Sequence, residues 1–584
     1  MITIADIQNL IANQEWEIAE KKLEAYLKNN EYDDTCAILA ASILGGLGLR
    51  DEQWETIRNG LKMNPNNYEL YILLGDYYMD TNLYQTYLCY ENALFFCNDP
   101  IDREQISSLL SSLKTEYQIQ IPKTAIILLS YNTLEYTKLC IDSIRQNTLD
   151  TSREIIIIDN ASTDGSLEWL RCQNDIKLIE NQENKGVPCG YNQGIEIAEK
   201  DSDIFLLDTD TILPTNALFW LRMGLYENDN IGSCGSISNF ATSHNTNLQT
   251  ISCNATNIED ILQFAKANNI PAQYPYEEKL FLLGFAVLIK RSVLNKVGPF
   301  DEQFSPGFYE DVDYGLRLTK LGHKNILCKN SFVLHFGKKS IDSLLKTNPE
   351  VVTKNQDIIN KKWGLNLQYY ISPRLDLINL IQEDTNKPLN VLELGCGCGA
   401  TMAKVKSYYP HATTYAVEIV DTAAGLANTF GDVICGDVEN MTFPYQEDFF
   451  DCCLMGDVLE HLHEPKLVLQ NLKKHLKKGG KIILSMPNMK HWSVMVPLLT
   501  KDVFPYANSG LLDTTHLKMY TLNEIKKLII TSGYELEHIS YTQAGTPNEK
   551  ELQIINELTK FMDKPDISTY MAYQYVIVAT AVHS

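Results

Sequence analysis

Along the first 120 residues apolar positions recur three and four apart, with no run of β-branched residues, which predicts helices throughout. From Lys123 the texture changes to short continuous apolar runs, TAIILLS, REIIIIDN and DIFLLDTDT, separated by helical stretches. Strands alternating with helices predict a mostly parallel sheet. A second change follows Trp363, where KKWGLNLQYYISPRLDLINLIQEDTNKP predicts a helix leading into PLNVLELGCGCGA. TYAVEI, DVICGDVEN, FFDCCLMGDVLEHLHEP and GGKIILSMPN then read as further strands, and YELEHISY and AYQYVIVATAV as a hairpin-like terminal pair. The pattern predicts a multidomain chain: an all-α arm over 1–120, then two α/β domains over 121–365 and 366–584.

Within the arm, WETIRNGLKMNP, YELYILLGDYY and YQTYLCYENALFFCNDP place aromatic and small residues at helix-pair spacing, with Gly60 and Ala93 33 residues apart. With the partial match EWEIAEKKLEAYL, the region resembles about three tetratricopeptide repeats. Stacked repeats expose a concave surface, so the resemblance implies an arm that docks a partner or acceptor.

Parallel-sheet domains carry their chemistry at the carboxyl ends of strands. In the middle domain those ends are polar and acidic. Tyr131 and Asn132 follow the first run; Asp159 opens the turn NASTDGS after the second. ENKGVPCGYNQGI supplies Asn184, Lys185 and Gly186, and IFLLDTDT places Asp208 and Asp210 one residue apart at a strand end. Two carboxylates that close repel unless a cation or a proton lies between them, which suits a divalent metal. GPFDEQFSPGFYEDVDYGLRL brings Glu310, Asp311 and Asp313 to a helix N-terminus, and His335 in VLHFGKKS falls just beyond a strand.

In this order the segments resemble the family 2 glycosyltransferases of the GT-A fold. The resemblance implies an inverting transfer from a nucleotide-sugar donor. It implies that Asp159 binds the base within a donor pocket formed with Tyr131, Asn132, Asn184, Lys185, Gly186 and Glu310. It further implies that Asp208, Asp210 and His335 hold Mg²⁺ or Mn²⁺ on the diphosphate, and that Asp311 is the catalytic base.

The last domain opens on LNVLELGCGCG, a strand delivering Glu393 and then Gly395, Gly397 and Gly399. Read literally the glycines also fit a dinucleotide fingerprint, so the motif alone does not choose between NAD and S-adenosylmethionine. Glu418 ends the next strand, 19 residues beyond Gly399, Asp437 follows a third and Asp457 a fourth. This order resembles class I S-adenosylmethionine-dependent methyltransferases with a Rossmann-like sheet. The resemblance implies that Glu393 and the three glycines hold the methionine portion, Glu418 the ribose and Asp437 the adenine, with Asp457 near cofactor and substrate. His461 and His516 are candidate bases.

Composition narrows the reading further. An apolar fraction of 45% and a charged fraction of 21% belong to packed globular domains. With 74 acidic and 50 basic residues the net charge is −24, which disfavours nucleic-acid phosphates and anionic membranes as partners. The longest apolar stretch, Phe281 to Ile289, is short of the roughly 20 residues a bilayer requires. The 14 cysteines lack CxxC spacing and read as free thiols of a reducing cytoplasm. The arm alone holds 19 acidic and 8 basic residues. The combined reading is a bifunctional cytoplasmic enzyme with S-adenosylmethionine and Mg²⁺ or Mn²⁺ as cofactors. It transfers a sugar to a glycan or protein acceptor held by the repeats and methylates the product. The arrangement resembles bacterial enzymes that modify flagellin or surface polysaccharide. The alternatives are two catalytic domains with unrelated substrates, or a repeat-based scaffold.

Overall fold

The structure is a computed structural model that describes residues 2–241, 249–251, 253, 257–337, 348–564 and 566–582. It divides into two compact units, Met1–Lys362 and Trp363–Ser584. Among the described residues no helix is long and apolar enough to cross a membrane.

The first unit begins with seven helices: α1 (Ile4–Ala12), α2 (Trp16–Leu27), α3 (Asp34–Gly46), α4 (Arg50–Met63), α5 (Tyr68–Tyr78), α6 (Leu83–Phe96) and α7 (Pro100–Glu116). Short polar loops start them. Thr3 and Asp6 form a reciprocal capping box on α1, and Asn67, Asn82 and Asp99 accept from the first free amides of α5, α6 and α7. Each helix packs on the next.

A sheet follows. Its strands are β1 (Thr124–Ser130), β2 (Arg153–Asp159), β3 (Ile176–Glu180), β4 (Asp203–Leu207), β5 (Thr211–Ile212), β6 (Ile231–Ser238), β7 (Tyr276–Lys279), β8 (Ala286–Ile289) and β9 (Lys324–His335). The order is β3-β2-β1-β4-β8-β6-β9-β5, with β7 also on β9. β1 to β4 pair in parallel, whereas β8 runs antiparallel to β4 and β6, so the sheet is mixed beyond β4. The interspersed helices include α8 (Leu134–Asn147), α9 (Ser166–Leu170), α10 (Val187–Ile197) and α11 (Ala217–Leu225). After them come α12 (Ile258–Asn268), α13 (Arg291–Val297) and α14 (Glu310–Lys320).

The helical arm does not stand apart from this sheet. All nine residues of α11 are buried, because one side lies on β6 and β9 and the other meets the arm. Phe219, Trp220 and Met223 join the arm's apolar cluster, and Phe219 meets Tyr71 edge-on at 5.4 Å. Glu91 of α6 pairs with Arg222, both nearly out of solvent, and Gln85 and Asn82 donate to the carbonyls of Met223 and Tyr226. A helix apolar on every side needs two covers.

Among the described residues the second unit has seven strands, β10 (Leu389–Leu394), β11 (Ala412–Glu418), β12 (Asp432–Cys435), β13 (Phe450–Gly456), β14 (Leu476–Pro487), β15 (Tyr534–Thr542) and β16 (Gln574–Ala581). Their order is β12-β11-β10-β13-β14-β16-β15, parallel through β14 and antiparallel at β16 and β15. A helical region followed by two α/β domains matches the hydrophobic pattern. The expected helix across 361–388 does not form: helix Val351–Trp363 ends at Gly364, whose φ is +67°, and only the short turns Leu367–Tyr370 and Leu375–Ile378 follow. Gly364 and Pro373 interrupt the ladder, as their backbone chemistry requires.

Candidate active sites

In the first unit the carboxyl ends of β1, β2 and β4 open on one rim. Asn132, at φ +55°, clasps two loops: its Oδ1 accepts from Thr163 N at 2.7 Å and its own amide donates to Ser162 Oγ at 3.1 Å. Tyr131 beside it is 38% exposed. Asp159 is the last residue of β2 and fully buried; Oδ1 accepts from Ser162 N at 2.9 Å, and Oδ2 has no partner among the described residues. Asn184 Oδ1 accepts from Gly186 N at 2.9 Å. Gly186 sits at φ +83°, and a Cβ there would lie 2.6 Å from Pro306 Cα, so only glycine lets the Asn184–Gly186 loop cross the segment leading into α14. Lys185 is tied to the same segment, its carbonyl accepting from Ser305 Oγ at 3.3 Å.

Asp208 and Asp210 lie between β4 and the short β5, whose Thr211 pairs with His335. His335 is thus the last residue of β9, a correction to its expected place beyond a strand. Its Nε2 stands 3.2 Å from Asp210 Oδ1 and 3.9 Å from Asp208 Oδ2. Nδ1 lies 2.7 Å from the carbonyl of Phe240, which only accepts, so the neutral ring carries its proton on Nδ1 and offers the Nε2 lone pair to the carboxylates. Phe285 stacks on the ring at 5.3 Å. A bare nitrogen facing two carboxylates is repulsive until a cation or a second proton enters. Without metal the proton is favoured: burial works against it, but the Asp210 hydrogen bond and the charges of Asp210 and Asp208 raise His335 above its ordinary value. One ligand atom from each of the three lies within 4.8 Å of the others, a spacing that fits a divalent cation. The last residues of HFGKKS, 338–340, lie outside the described residues.

Glu310 and Asp311 open α14, preceded by Phe308 and Tyr309 at φ +73° and +74°. Two successive side-chain-bearing residues in the left-handed region are strained, a pattern that clusters at functional sites. Asp311 Oδ2 accepts from Gly284 N at 3.2 Å and Oδ1 from Val312 N at 2.7 Å, while burial pushes the group up to about 6. Desolvation in the cleft, then the Asp210 charge, pushes Asp208 likewise up to about 6, and Asp311 adds to that field. Burial and the Asp311 charge hold Glu310 well above the carboxylate range, and its Oε2 is unpartnered among the described residues. Asp313 stands aside, fully buried and paired with Arg317 and Lys362 at 2.8 Å each. Two further groups stand here without a sequence expectation, Tyr191, a buried hydroxyl in the field of Asp208, Glu310 and Asp311, and the amide of Gly284; a Tyr next to the glycines of CGYNQG is the available signal for the first.

In the second unit, Gly395, Gly397 and Gly399 join β10 to the helix Ala400–Tyr408, each at positive φ. At Gly399, φ +86°, a Cβ would meet Ala427 Cα at 2.9 Å and the Phe430 ring at 2.8 Å. Glu418, the last residue of β11, braces the loop: Oε2 accepts from Gly397 N and Oε1 from Val420 N, both at 2.9 Å, and burial raises it. Glu393 is buried beneath the loop with Oε2 unpartnered among the described residues, and burial pushes it up to about 8. A loop with glycine at every second position, over a buried carboxyl with one free oxygen, fits a cofactor whose amino group that carboxyl would receive. Asp437, partly exposed, accepts from Glu439 N at 2.9 Å and Asn440 Nδ2 at 2.6 Å. Asp457, at φ +56°, accepts from Arg374 Nη1 at 2.8 Å, Ser485 Oγ at 2.7 Å and Gln574 Nε2 at 2.9 Å. His461 and His516 come together, ring centroids 4.8 Å apart, beside the buried Glu460. Arg374 and Glu460 went unnoticed in the sequence. The Glu-His pair in VLEHLHEP was the signal for Glu460; Arg374 had none.

The model of glycosyl transferase family 2 matches residues 125–298, and that of a methyltransferase domain matches residues 365–539. EpsH of Bacillus subtilis (strain 168), which carries a provisional glycosyltransferase name, is 33% identical over 115 residues, 19% of this chain and 33% of its own length. Norajmaline N-methyltransferase of Rauvolfia serpentina is 27% identical over 120 residues, 20% of this chain and 41% of its own length. The chain therefore spans only about a third to two fifths of these relatives. A solved SAM-dependent methyltransferase of Archaeoglobus fulgidus aligns at 16% identity and TM-score 0.27, covering 38% of this chain and 98% of that one. In sequence order, the chain carries a family 2 glycosyltransferase domain and an S-adenosylmethionine-dependent methyltransferase domain.

Proposed function

We propose that the chain transfers a sugar from a nucleotide-sugar donor to a glycan or protein acceptor and methylates the product from S-adenosylmethionine. The observation that carries the reading is the meeting of Asp208, Asp210 and Nε2 of His335 in one cleft with Asp311. Asp159, Tyr131, Asn132, Asn184, Lys185, Gly186 and Glu310 border the donor site in this account, with the free Oδ2 of Asp159 receiving the imide of a pyrimidine base. Asp208, Asp210 and His335 would hold Mg²⁺ or Mn²⁺. When bound, such an ion neutralises charge on the departing diphosphate.

Asp311 takes the proton of the acceptor hydroxyl, oriented by the Gly284 amide on its other oxygen. The acceptor oxygen bonds to the anomeric carbon as the bond to the diphosphate breaks, and the nucleoside diphosphate leaves with the electron pair. One displacement inverts the anomeric centre and needs no covalent nucleophile.

In the second domain Glu393 receives the methionine amino group over the Gly395, Gly397 and Gly399 loop, Glu418 the ribose hydroxyls and Asp437 the adenine. Asp457, held by Arg374, shapes the wall towards the methyl acceptor. In-line displacement at the sulfonium depends on positioning, and the acceptor gains a methyl as S-adenosylhomocysteine leaves.

The helical arm is read as tetratricopeptide-like repeats that dock the acceptor, with flagellin or surface polysaccharide as the acceptor class and the cytoplasm as the compartment. Physical union of the two activities raises the second site's effective concentration for the first product. The test incubates the full chain with Mn²⁺, mixed nucleotide sugars and candidate acceptors, with and without S-adenosylmethionine, and weighs the products. A hexose-scale mass gain that acquires a further methyl only with S-adenosylmethionine supports the reading; a methyl gain on unglycosylated acceptor alone defeats the coupling.

A further inference from the structure

The methyltransferase domain contains a second cluster that the reaction above leaves unused. Glu460 lies in the turn Leu459–His461 just after β13, with no exposed surface, and both of its carboxylate oxygens lack a hydrogen-bond partner among the described residues. A buried carboxylate without a hydrogen bond is heavily penalised and calls for a counter-charge. Ligand atoms of Glu460, His461 and His516 all lie within 4.8 Å of one another.

The protons of both imidazoles can be located from their partners. His516 Nδ1 lies 3.1 Å from the carbonyl of Leu511, which can only accept. His461 Nδ1 lies 3.2 Å from the carbonyl of Thr515 and 3.2 Å from its hydroxyl. That hydroxyl donates to Asp513 Oδ1 at 2.7 Å, so towards His461 it too is an acceptor. Both neutral rings therefore carry hydrogen on Nδ1, leaving each Nε2 with a free lone pair. A carbonyl oxygen holding one ring nitrogen is how a metal-ligating histidine is fixed to offer the other. The scaffold is tied as well: Leu517 N and Lys518 N both donate to the carbonyl of Glu460, at 2.9 and 3.1 Å. A proton on Glu460, which burial favours, removes the charge but not the need for hydrogen-bond partners. It would leave an unpaired donor in the same dry place, and no hydrogen bond joins Glu460 to either ring.

We propose that Glu460, His461 and His516 form a divalent-cation site of the two-histidine, one-carboxylate type, for an ion such as Zn²⁺, Fe²⁺ or Co²⁺. A cation about 2.1 Å from each ligand holds their atoms roughly 3 to 4.2 Å apart, within the 4.8 Å span of the cluster. Imidazole nitrogen distinguishes this set from an oxygen-only magnesium site. Three protein ligands leave coordination positions open; Asp457 lies outside the cluster and is held by Arg374, Ser485 and Gln574. On the reading of this domain as a methyltransferase, an open position beside the end of β13 would take the acceptor's oxygen and favour its deprotonation. His461 and His516 then act as ligands, in place of the free-base role their sequence positions suggested.

The test uses tag-free full-length protein carrying Asp208→Ala and Asp210→Ala, which removes the first candidate metal site. Co²⁺ is titrated by equilibrium dialysis with visible absorption, and S-adenosylmethionine binding is measured on the same samples. One Co²⁺ per chain with a d–d band, weakened at least tenfold by His516→Asn and abolished by Glu460→Gln with His461→Asn, is expected. His516 is partly exposed, so its variant provides a decisive reading if the other does not fold. No stoichiometric Co²⁺, or binding indifferent to His516→Asn, overturns the site. Retained S-adenosylmethionine binding without Co²⁺ defeats only this inference, whereas Co²⁺ binding without the cofactor defeats the methyltransferase reading instead.

Discussion

Replacing Asp311 with Asn should stabilise the protein while stopping sugar transfer. The folded protein holds the Asp311 carboxyl at about 6 against an ordinary value of 3.8, because burial opposes its charge. At 1.36 kcal/mol per pH unit that difference is about 3 kcal/mol, an upper value for a group that keeps some solvent contact. A raised carboxyl works against the fold where it is ionised. Below pH 4 both states are protonated and nothing is lost. Between pH 4 and 6 the unfolded chain gives up the proton first, so stability falls as pH rises, and above pH 6 the full deficit persists. Asn cannot ionise; its Oδ1 can accept from Gly284 N or from Val312 N but not from both, so the loss of one of these bonds offsets part of the gain. Calorimetric melting in EDTA should therefore show Asp311→Asn raised by several degrees in one transition at pH 7.5, with the gain vanishing near pH 3.5. The same variant should lose at least about 100-fold in transfer rate, as removal of a general base does. A variant that is destabilised equally at both pH values, or that retains more than a tenth of the transfer rate, would refute the assignment of Asp311 as a buried base.

Three further outcomes follow from the geometry. Gly399→Ala forces a Cβ against Ala427 and Phe430 at φ +86°, at a backbone cost of about 1–2 kcal/mol, and should lower S-adenosylmethionine affinity in titration calorimetry without touching sugar transfer. Glu393, held near 8, is mostly protonated at pH 7, so cofactor binding there should release up to one proton and less at pH 9; heats measured in buffers of different ionisation enthalpy check this. Removing one member of the buried Glu91–Arg222 pair, as in Glu91→Ala, should cost about 3–5 kcal/mol, while Glu91→Leu with Arg222→Met should recover most of it in urea denaturation.

Much of the site was legible because parallel strands deliver chemistry at their carboxyl ends. Asp159, Asp208, Glu393 and Glu418 each stand at or beside the end of an apolar run, and the structure places them at strand ends. Less legible was anything set by partners distant in sequence. Nothing near Arg374 announces that it holds Asp457, 83 residues on. His335 reaches Asp210 only because β5 pairs with β9, a two-residue strand too short to show a period. The docking of the arm was written in ALFWLRMGL, a helix whose one charged residue is Arg222, but its second cover cannot be named from one segment. The helix expected over 361–388 failed for a reason the sequence does contain, since Gly364 and Pro373 are breakers that the apolar spacing around them concealed.

The central claim is two transferase sites on one chain, and separate inactivation tests it most directly. Full-length Asp208→Asn and Glu418→Ala are each assayed for Mn²⁺-dependent nucleotide-sugar turnover and for S-adenosylmethionine binding. The account predicts that Asp208→Asn loses turnover and keeps the cofactor, while Glu418→Ala keeps turnover and binds the cofactor at least tenfold more weakly. Turnover indifferent to Asp208→Asn, or cofactor binding that survives Glu418→Ala unchanged, would contradict it.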